Sequence, residues 1–274
     1  MKKPKLDKAK SNKNKSTLKR KDTIMFKKPD YKKVVFVPDI HAPFHDPQAV
    51  KASLSFIKWW KPQEVIFLGD AIDFYAISRF DKDPQRRLQL QSEIDATVEI
   101  LTQFKAAAPL AKFTFLRGNH EHRLQKYLWT KAAELSGLRD LTVPHLLKLN
   151  ELGIKYINDG KIVLQSTIIK HGNVVRKFSA YSSRGEFETC GISGVSGHTH
   201  RMGIYYHTHV GGKFTWIECG CLCDMEPEYM EGKTANWQQG FGIGFYKNNG
   251  SGRFNTQLVP IVNGKAMYGG YEFL

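Results

Sequence analysis

The sequence predicts an α/β fold: a substantially parallel sheet with helices packed against it, and a second sheet, formed by the C-terminal half, packed on the first. Three observations point there. Short apolar runs alternate with stretches of helical periodicity from residue 34 to residue 116. From residue 203 onward the pattern changes to closely spaced strands. The chain has 274 residues and 41% hydrophobic content, with 17 Phe, 11 Tyr and 5 Trp, enough to bury a sizeable core.

Taken in order, residues 1–33 stand apart. They carry 13 Lys and Arg20 against Asp7, Asp22 and Asp30, a net +11 out of +15 for the whole chain. Leu6, Leu18 and Ile24 are too sparse to bury, so a basic, disordered tail is expected. A mobile polycation binds phosphate backbones without sequence preference and more weakly as salt rises, which makes nucleic acid the expected partner. A solvating arm is the competing explanation. Lysine dominance is not the pattern of a mitochondrial transit peptide, and the apolar stretch of a secretory signal is missing.

Residues 34–274 read as a single domain. Val34–Val37 is a short β-branched run of the kind found in buried strands, and it leads into Asp39 and His41. Residues 47–60 read as a helix, with Pro47 in its first turn and Val50, Leu54, Ile57 and Trp60 at helical spacing. Val65–Leu68 is the second strand and delivers Gly69-Asp70. A long helix follows, with Leu90, Ile94, Val98, Leu101 and Phe104 on one face. Lys112–Leu116 is the third strand, ending at Arg117-Gly118-Asn119-His120. Residues 121–160 read as a mostly helical insertion or lid. Thr167–Lys170 leads into His171-Gly172, and residues 192–197 lead into His198 and His200. Strands are then expected at 203–209, 213–219, 241–247 and 254–260, with a hairpin turn at Asn248–Gly252 between the last two. No apolar run reaches the roughly 18 residues of a membrane span.

Five segments end β-like runs with metal-binding residue types: Asp39-Ile40-His41, Gly69-Asp70-Ala71-Ile72-Asp73, Gly118-Asn119-His120-Glu121, His171-Gly172 and Gly197-His198-Thr199-His200. Each alone is compatible with turn chemistry or a core histidine. Together Asp39, His41, Asp70, Asn119, His171, His198 and His200 are seven candidate ligands, each at or just past a strand end. In open α/β sheets that is where ligands collect. Oxygen and imidazole donors without thiolate suit Mn, Fe, Zn or Ni.

In order and separation these segments resemble the calcineurin-like metallophosphoesterase superfamily, whose pattern is D-x-H, G-D-x-x-D, G-N-H-[DE], H and G-H-x-H. Asp39–His45 and Asn236–Phe241 further resemble phage-encoded members. The resemblance implies a sandwich of two mixed β-sheets flanked by helices, and two divalent metal ions, Mn foremost. It puts Asp39, His41, Asp70 and His200 on one ion and Asp70, Asn119, His171 and His198 on the other. A shared carboxylate keeps such ions about 3.5–4 Å apart, where they activate water and neutralise phosphate charge. It also implies that His120 protonates the leaving oxygen, with Asp73 fixing its orientation. A helix N-cap is the other explanation of Asp73. Arg117 and Arg123 flank the third motif; each is either a contact to substrate phosphate or a solvated charge.

Serine/threonine phosphatases of the superfamily continue the second motif as D-R-G, and that arginine grips a phosphate dianion. Here the residues are Asp73-Phe74-Tyr75. A diester carries one charge fewer and needs such a clamp less. The expected function is therefore a phosphodiesterase or nuclease acting on DNA or RNA, with phosphomonoesterase or small-nucleotide hydrolase as the alternative and a non-catalytic nucleic-acid scaffold behind both. The four cysteines do not form a disulfide framework, so a cytoplasmic setting is expected, the host's if the chain is phage-encoded. Cys219, Cys221 and Cys223 alternate and read as one buried row of thiols. Trp237, Phe241 and Tyr246 read as core.

Overall fold

One strand shows how the chain builds two layers. In the computed structural model, which describes residues 31–79, 89–226, 234–247 and 254–274, β1 (Tyr31–Val37) is fully buried from Val34 onward. Successive side chains of a strand point to opposite faces. Val35 and Val37 therefore enter a core shared with the helices, while Val34 and Phe36 enter a second core shared with the other sheet. The basic segment 1–30 and the Asn248–Gly252 turn lie outside the described residues.

α1 (Pro47–Trp60) spans the residues read as helical. The Asp46 carboxylate caps it, accepting from the Gln48 and Ala49 N–H groups at 2.8 and 3.2 Å, and Pro47 occupies a position where no N–H is needed. β2 (Glu64–Phe67) and β3 (Lys112–Leu116) pair parallel to β1 in the order β1-β2-β3. α2 (Leu90–Ala107) buries Ile94, Leu101 and Phe104 against them, with the Phe104 ring edge-on to Phe67 at 5.3 Å.

The stretch read as mostly helical contains α3 (Glu121–Lys131) and α4 (Val143–Leu146) but ends in a strand. β4 (Ile154–Ile157) pairs parallel to β3 and forms the edge of the sheet. Only Ile154 of its four residues is buried, so the alternation that would have marked it is weak.

The sequence expectation for the second sheet is corrected by the topology. That sheet has the order β5-β6-β7-β9-β8, from β5 (Lys161–Leu164), β6 (Thr167–Lys170), β7 (Ser193–Ser196), β8 (Met202–His209) and β9 (Gly212–Cys219). The last strands do not join it. β10 (Gly240–Lys247) pairs antiparallel with β1, and β11 (Asn255–Val262), β12 (Lys265–Tyr268) and β13 (Tyr271–Phe273) continue outward, giving an eight-stranded sheet. The return covers the open edge of β1 and buries Phe241 beside Phe56 of α1, rings 5.0 Å apart. α5 (Tyr181–Cys190) packs on the second sheet against β8 and β9. Among the described residues no helix is long and apolar enough to cross a membrane.

Both sheets are mixed, and helices flank them. The carboxyl ends of β1, β2, β3, β6 and β7 lead directly into the five motif segments.

Candidate metal centre

The seven candidate ligands converge. Asp39 and Asp70 leave β1 and β2 and are buried at 0% and 2% exposure; His41 and His171 are 6% and 5% exposed. Reaching inward from a strand end requires sharp backbone turns. Asp39, His41, Asp70, His198 and His200 all have positive φ, from 21° to 71°. L-residues avoid that region, and such strain concentrates at functional sites because the surrounding fold enforces it. Gly118 and Gly197 leave the space: a Cβ at the first would collide with Asp70 Oδ1, and one at the second with Asp39 Oδ2.

Two donor groups share Asp70. On one side His171 Nε2 lies 3.3 Å from Asp70 Oδ2, 2.9 Å from Asn119 Oδ1 and 3.1 Å from His198 Nδ1. On the other, His200 Nε2 lies 3.0 Å from His41 Nε2 and 3.6 Å from Asp39 Oδ1, with His41 Nε2 3.9 Å from Asp70 Oδ2. Asp39, His41 and His200 form one cluster with metal-ligand spacing, and Asp70, His171 and His198 another. The family resemblance groups these residues in the same way, and His41, Asp70 and His120 form a further cluster with the same spacing.

Outer contacts fix which nitrogens face inward. His171 Nδ1 donates to the Leu68 carbonyl at 2.9 Å, and His41 Nδ1 donates to Asp73 Oδ2 at 3.1 Å. Each ring then turns its Nε2 to the centre, as ligating histidines do. His41 Nε2 faces His200 Nε2, and His171 Nε2 faces both His198 Nδ1 and Asn119 Oδ1, so each group gathers potential donor atoms that one cation would satisfy together. The electrostatics agree. Burial, then the charge of His120, lowers His41; burial and the charge of His171 bring His198 to about 4; burial and His41 hold His200 well down. These imidazoles are neutral ligands near pH 7. Burial opposes a charge on Asp70, yet His171 and His120 hold it well below the usual carboxylate range. Burial likewise opposes a charge on His171, but Asp70 outweighs it and pushes the ring up to about 9. Burial, joined by the Asp70 charge and opposed by His171, raises Asp39 to about 8. The donor set fits a pair of divalent cations.

His120 stands beside the ligands. Its Nδ1 lies 2.8 Å from the Asp73 carbonyl and 3.4 Å from Asp73 Oδ2, and its Nε2 is 3.8 Å from Asp70 Oδ2. Asp73 thus orients both His120 and His41. Burial works against charging His120, but Asp70 and Asp73 outweigh it and raise its pKa.

Residues 32–202 match the profile of the calcineurin-like phosphoesterases. The Gene 54 protein of Mycobacterium phage D29 is 32% identical over 256 residues, covering 88% of this chain and 98% of that protein. Its counterpart in Mycobacterium phage L5 is 30% identical over 85% of this chain and 95% of that one. The chain belongs to the calcineurin-like phosphoesterase family. Among solved structures it is similar to Vacuolar Protein Sorting 29 from Cryptosporidium parvum, 14% identical over 89% of this chain and 98% of that one, TM-score 0.44. It is also similar to Yfce, a phosphoesterase from E. coli, 15% identical over 84% and 92%, TM-score 0.36.

In this phosphoesterase the structure adds residues that the sequence reading passed over. Glu121, 1% exposed, accepts from the N–H groups of Asp70 and Ala71, both at 2.9 Å, and of Gly118 at 2.8 Å. It ties the loop after β2 to the loop after β3. Its signal was the acidic last position of Gly-Asn-His-Glu, a buried carboxylate next to N–H-rich glycine turns. Trp237 is corrected from core to site wall: its ring lies 4.4 Å from that of His200, at 68°, and is partly exposed. Phe241 and Tyr246 are core. Arg123 Nη1 donates to the Asp73 carbonyl at 2.9 Å and to Oδ1 at 3.2 Å, and Nη2 lies 3.0 Å from His120 Nε2. Arg117 instead donates to Asn158 Oδ1 at 3.2 Å.

Proposed function

We propose that this phosphoesterase is a dinuclear-metal-dependent phosphodiesterase that cleaves DNA or RNA, working in the cytoplasm of the phage host. The observation that carries the substrate class is a cavity of about 570 Å³ opening beside the ligands. The candidate ligand Asn119 lines it, together with Arg79, Arg123, Lys126, Tyr127 and Lys131. Four cations along one groove exceed what a single phosphate needs and suit a chain of phosphates. A tyrosine among them offers a ring on which a base can stack.

Asp39, His41, Asp70 and His200 would hold one cation, and Asp70, Asn119, His171 and His198 the other. When bound, the pair, with Mn the foremost candidate, supplies a nucleophile from water near neutral pH and neutralises phosphate charge. The chain supplies the rest. His120 carries a proton that its Nε2 can deliver to the departing oxygen, while Asp73 holds the ring through Nδ1. Arg123 Nη2 faces the same Nε2. Arg123 also lines the cavity, where its guanidinium would meet a substrate phosphate.

The test is turnover by the Mn-supplemented protein of bis-p-nitrophenyl phosphate, p-nitrophenyl phosphate, oligonucleotides and phosphopeptides. Hydrolysis of the diester and the oligonucleotides is expected. Activity confined to monoesters overturns the diester assignment, and none on any of the four overturns the enzymatic one.

A further inference from the structure

His200 turns its two ring nitrogens to different chemistry. Nε2 faces His41 and Asp39, as described, whereas Nδ1 faces Cys223 Sγ at 3.7 Å. Cys221 completes a triangle, since a His200 nitrogen and the two sulfurs lie within 4.8 Å of one another. A fourth soft atom adjoins it: Met225 Sδ is 3.9 Å from Cys221 Sγ. Imidazole, two thiols and a thioether are the donors of a soft or borderline cation, unlike the sulfur-free oxygen and imidazole centre next door. Tetrahedral zinc bound to sulfur at about 2.3 Å and to imidazole at about 2.0 Å has donor–donor edges of roughly 3.5–3.8 Å. The separations of 3.7 and 3.9 Å stand close to those edges without any rearrangement.

The backbone holds the donors in place. Gly220, at φ +80°, turns the chain out of β9, and a Cβ there would lie 2.5 Å from the Gln238 carbonyl. Cys221 N–H donates to Gln238 O at 3.1 Å, Leu222 N–H to Asp39 O at 2.9 Å and Asp224 N–H to Phe44 O at 2.9 Å. The turn also breaks the row of thiols expected from the sequence. Cys219 packs in the core between the sheets, while Cys221 and Cys223 converge on an imidazole. A row of inert core thiols would have no reason to gather around a ring nitrogen.

We propose that Cys221, Cys223, His200 Nδ1 and Met225 form a third cation site, for zinc or copper(I), which shares His200 with the dinuclear centre. Binding releases the two thiol protons and the ring N–H proton to solvent. A cation there would lock the His200 ring and link the segment after β9 to the centre, whatever ester the protein hydrolyses.

Cobalt(II) titration of the reduced full chain, read by absorption, tests this. Thiolate-to-cobalt charge-transfer absorption is expected in the near ultraviolet, together with a third bound equivalent. Asp70→Asn should keep that absorption while the dinuclear centre weakens. Cys221→Ser with Cys223→Ser should abolish it and lower the bound metal by one equivalent, with the cobalt bands of the oxygen–nitrogen centre showing that the fold is intact. Met225→Leu, close in volume, should shift the band. Absence of thiolate absorption in the wild-type chain overturns the proposal without recourse to any variant, and so does its persistence in the double variant.

Discussion

Five residues of the centre, Asp39, His41, Asp70, His198 and His200, sit in the left-handed backbone region. Each such residue costs on the order of 1–3 kcal/mol, so the centre is held against local preference by its surroundings. His120 touches Asp73 and Arg123, and it also shares a group with metal-ligand spacing with His41 and Asp70. In the proposed function it gives a proton and is not a ligand. His120→Ala is expected to lower kcat by about 10²–10⁴-fold with both cations still bound. Turnover of a small diester and metal content of the same sample would check it. Loss of metal along with activity would show that His120 acts as a ligand.

Between elements, two buried glutamates fasten loops to helices. Glu121, at the start of α3, takes N–H groups from both the β2 and the β3 loops. Glu121→Gln keeps the shape but sets an NH₂ against those donors. A loss of about 1–3 kcal/mol in unfolding free energy is expected, along with cation affinity weakened about 10–100-fold. Chemical denaturation and metal titration measure the two. Glu93 of α2 holds the 3₁₀ turn Tyr75–Ile77, accepting from Tyr75 N–H at 2.7 Å and Ala76 N–H at 2.8 Å. Burial raises its pKa above the usual 4.5, outweighing those donors. A carboxyl with a raised folded pKa binds its proton more tightly folded than unfolded, so its contribution to stability falls as pH rises from about 4.5 through the raised value. Glu93→Gln should flatten that fall in urea unfolding across the same range. An unchanged slope would place the titration elsewhere.

At the scale of the whole molecule, charge and catalysis are divided. Residues 1–33 carry +11 of the net +15, and the remaining 241 residues, with 27 basic and 23 acidic side chains, are nearly balanced. If the tail gathers nucleic acid, deleting residues 1–30 should weaken oligonucleotide binding and flatten its dependence on salt. Turnover of bis-p-nitrophenyl phosphate should stay unchanged. Equal salt slopes for the two forms would assign the polyanion site to the cavity alone. The architecture explains why the ligands were legible: every motif follows a strand, and parallel pairing brings those strand ends to one edge. It also explains what was not. The pairing of β10 with β1 brings together residues far apart in the chain, such as Phe241 and Phe56, 185 positions apart, and no local pattern records that choice.

The sequence by itself determined α1, α2, the inner strands and the identity of seven candidate oxygen and nitrogen donors, because periodicity and strand-end position are local properties of the chain; α5 was not read from it. Tertiary structure alone decided that the C-terminal strands return to the first sheet, that Glu121 clamps two loops, and that Trp237 walls the centre. It also decided that Cys221 and Cys223 part from Cys219 to face His200. Each of these depends on which distant segments exclude water together, and pairing between remote segments is not encoded in any one of them.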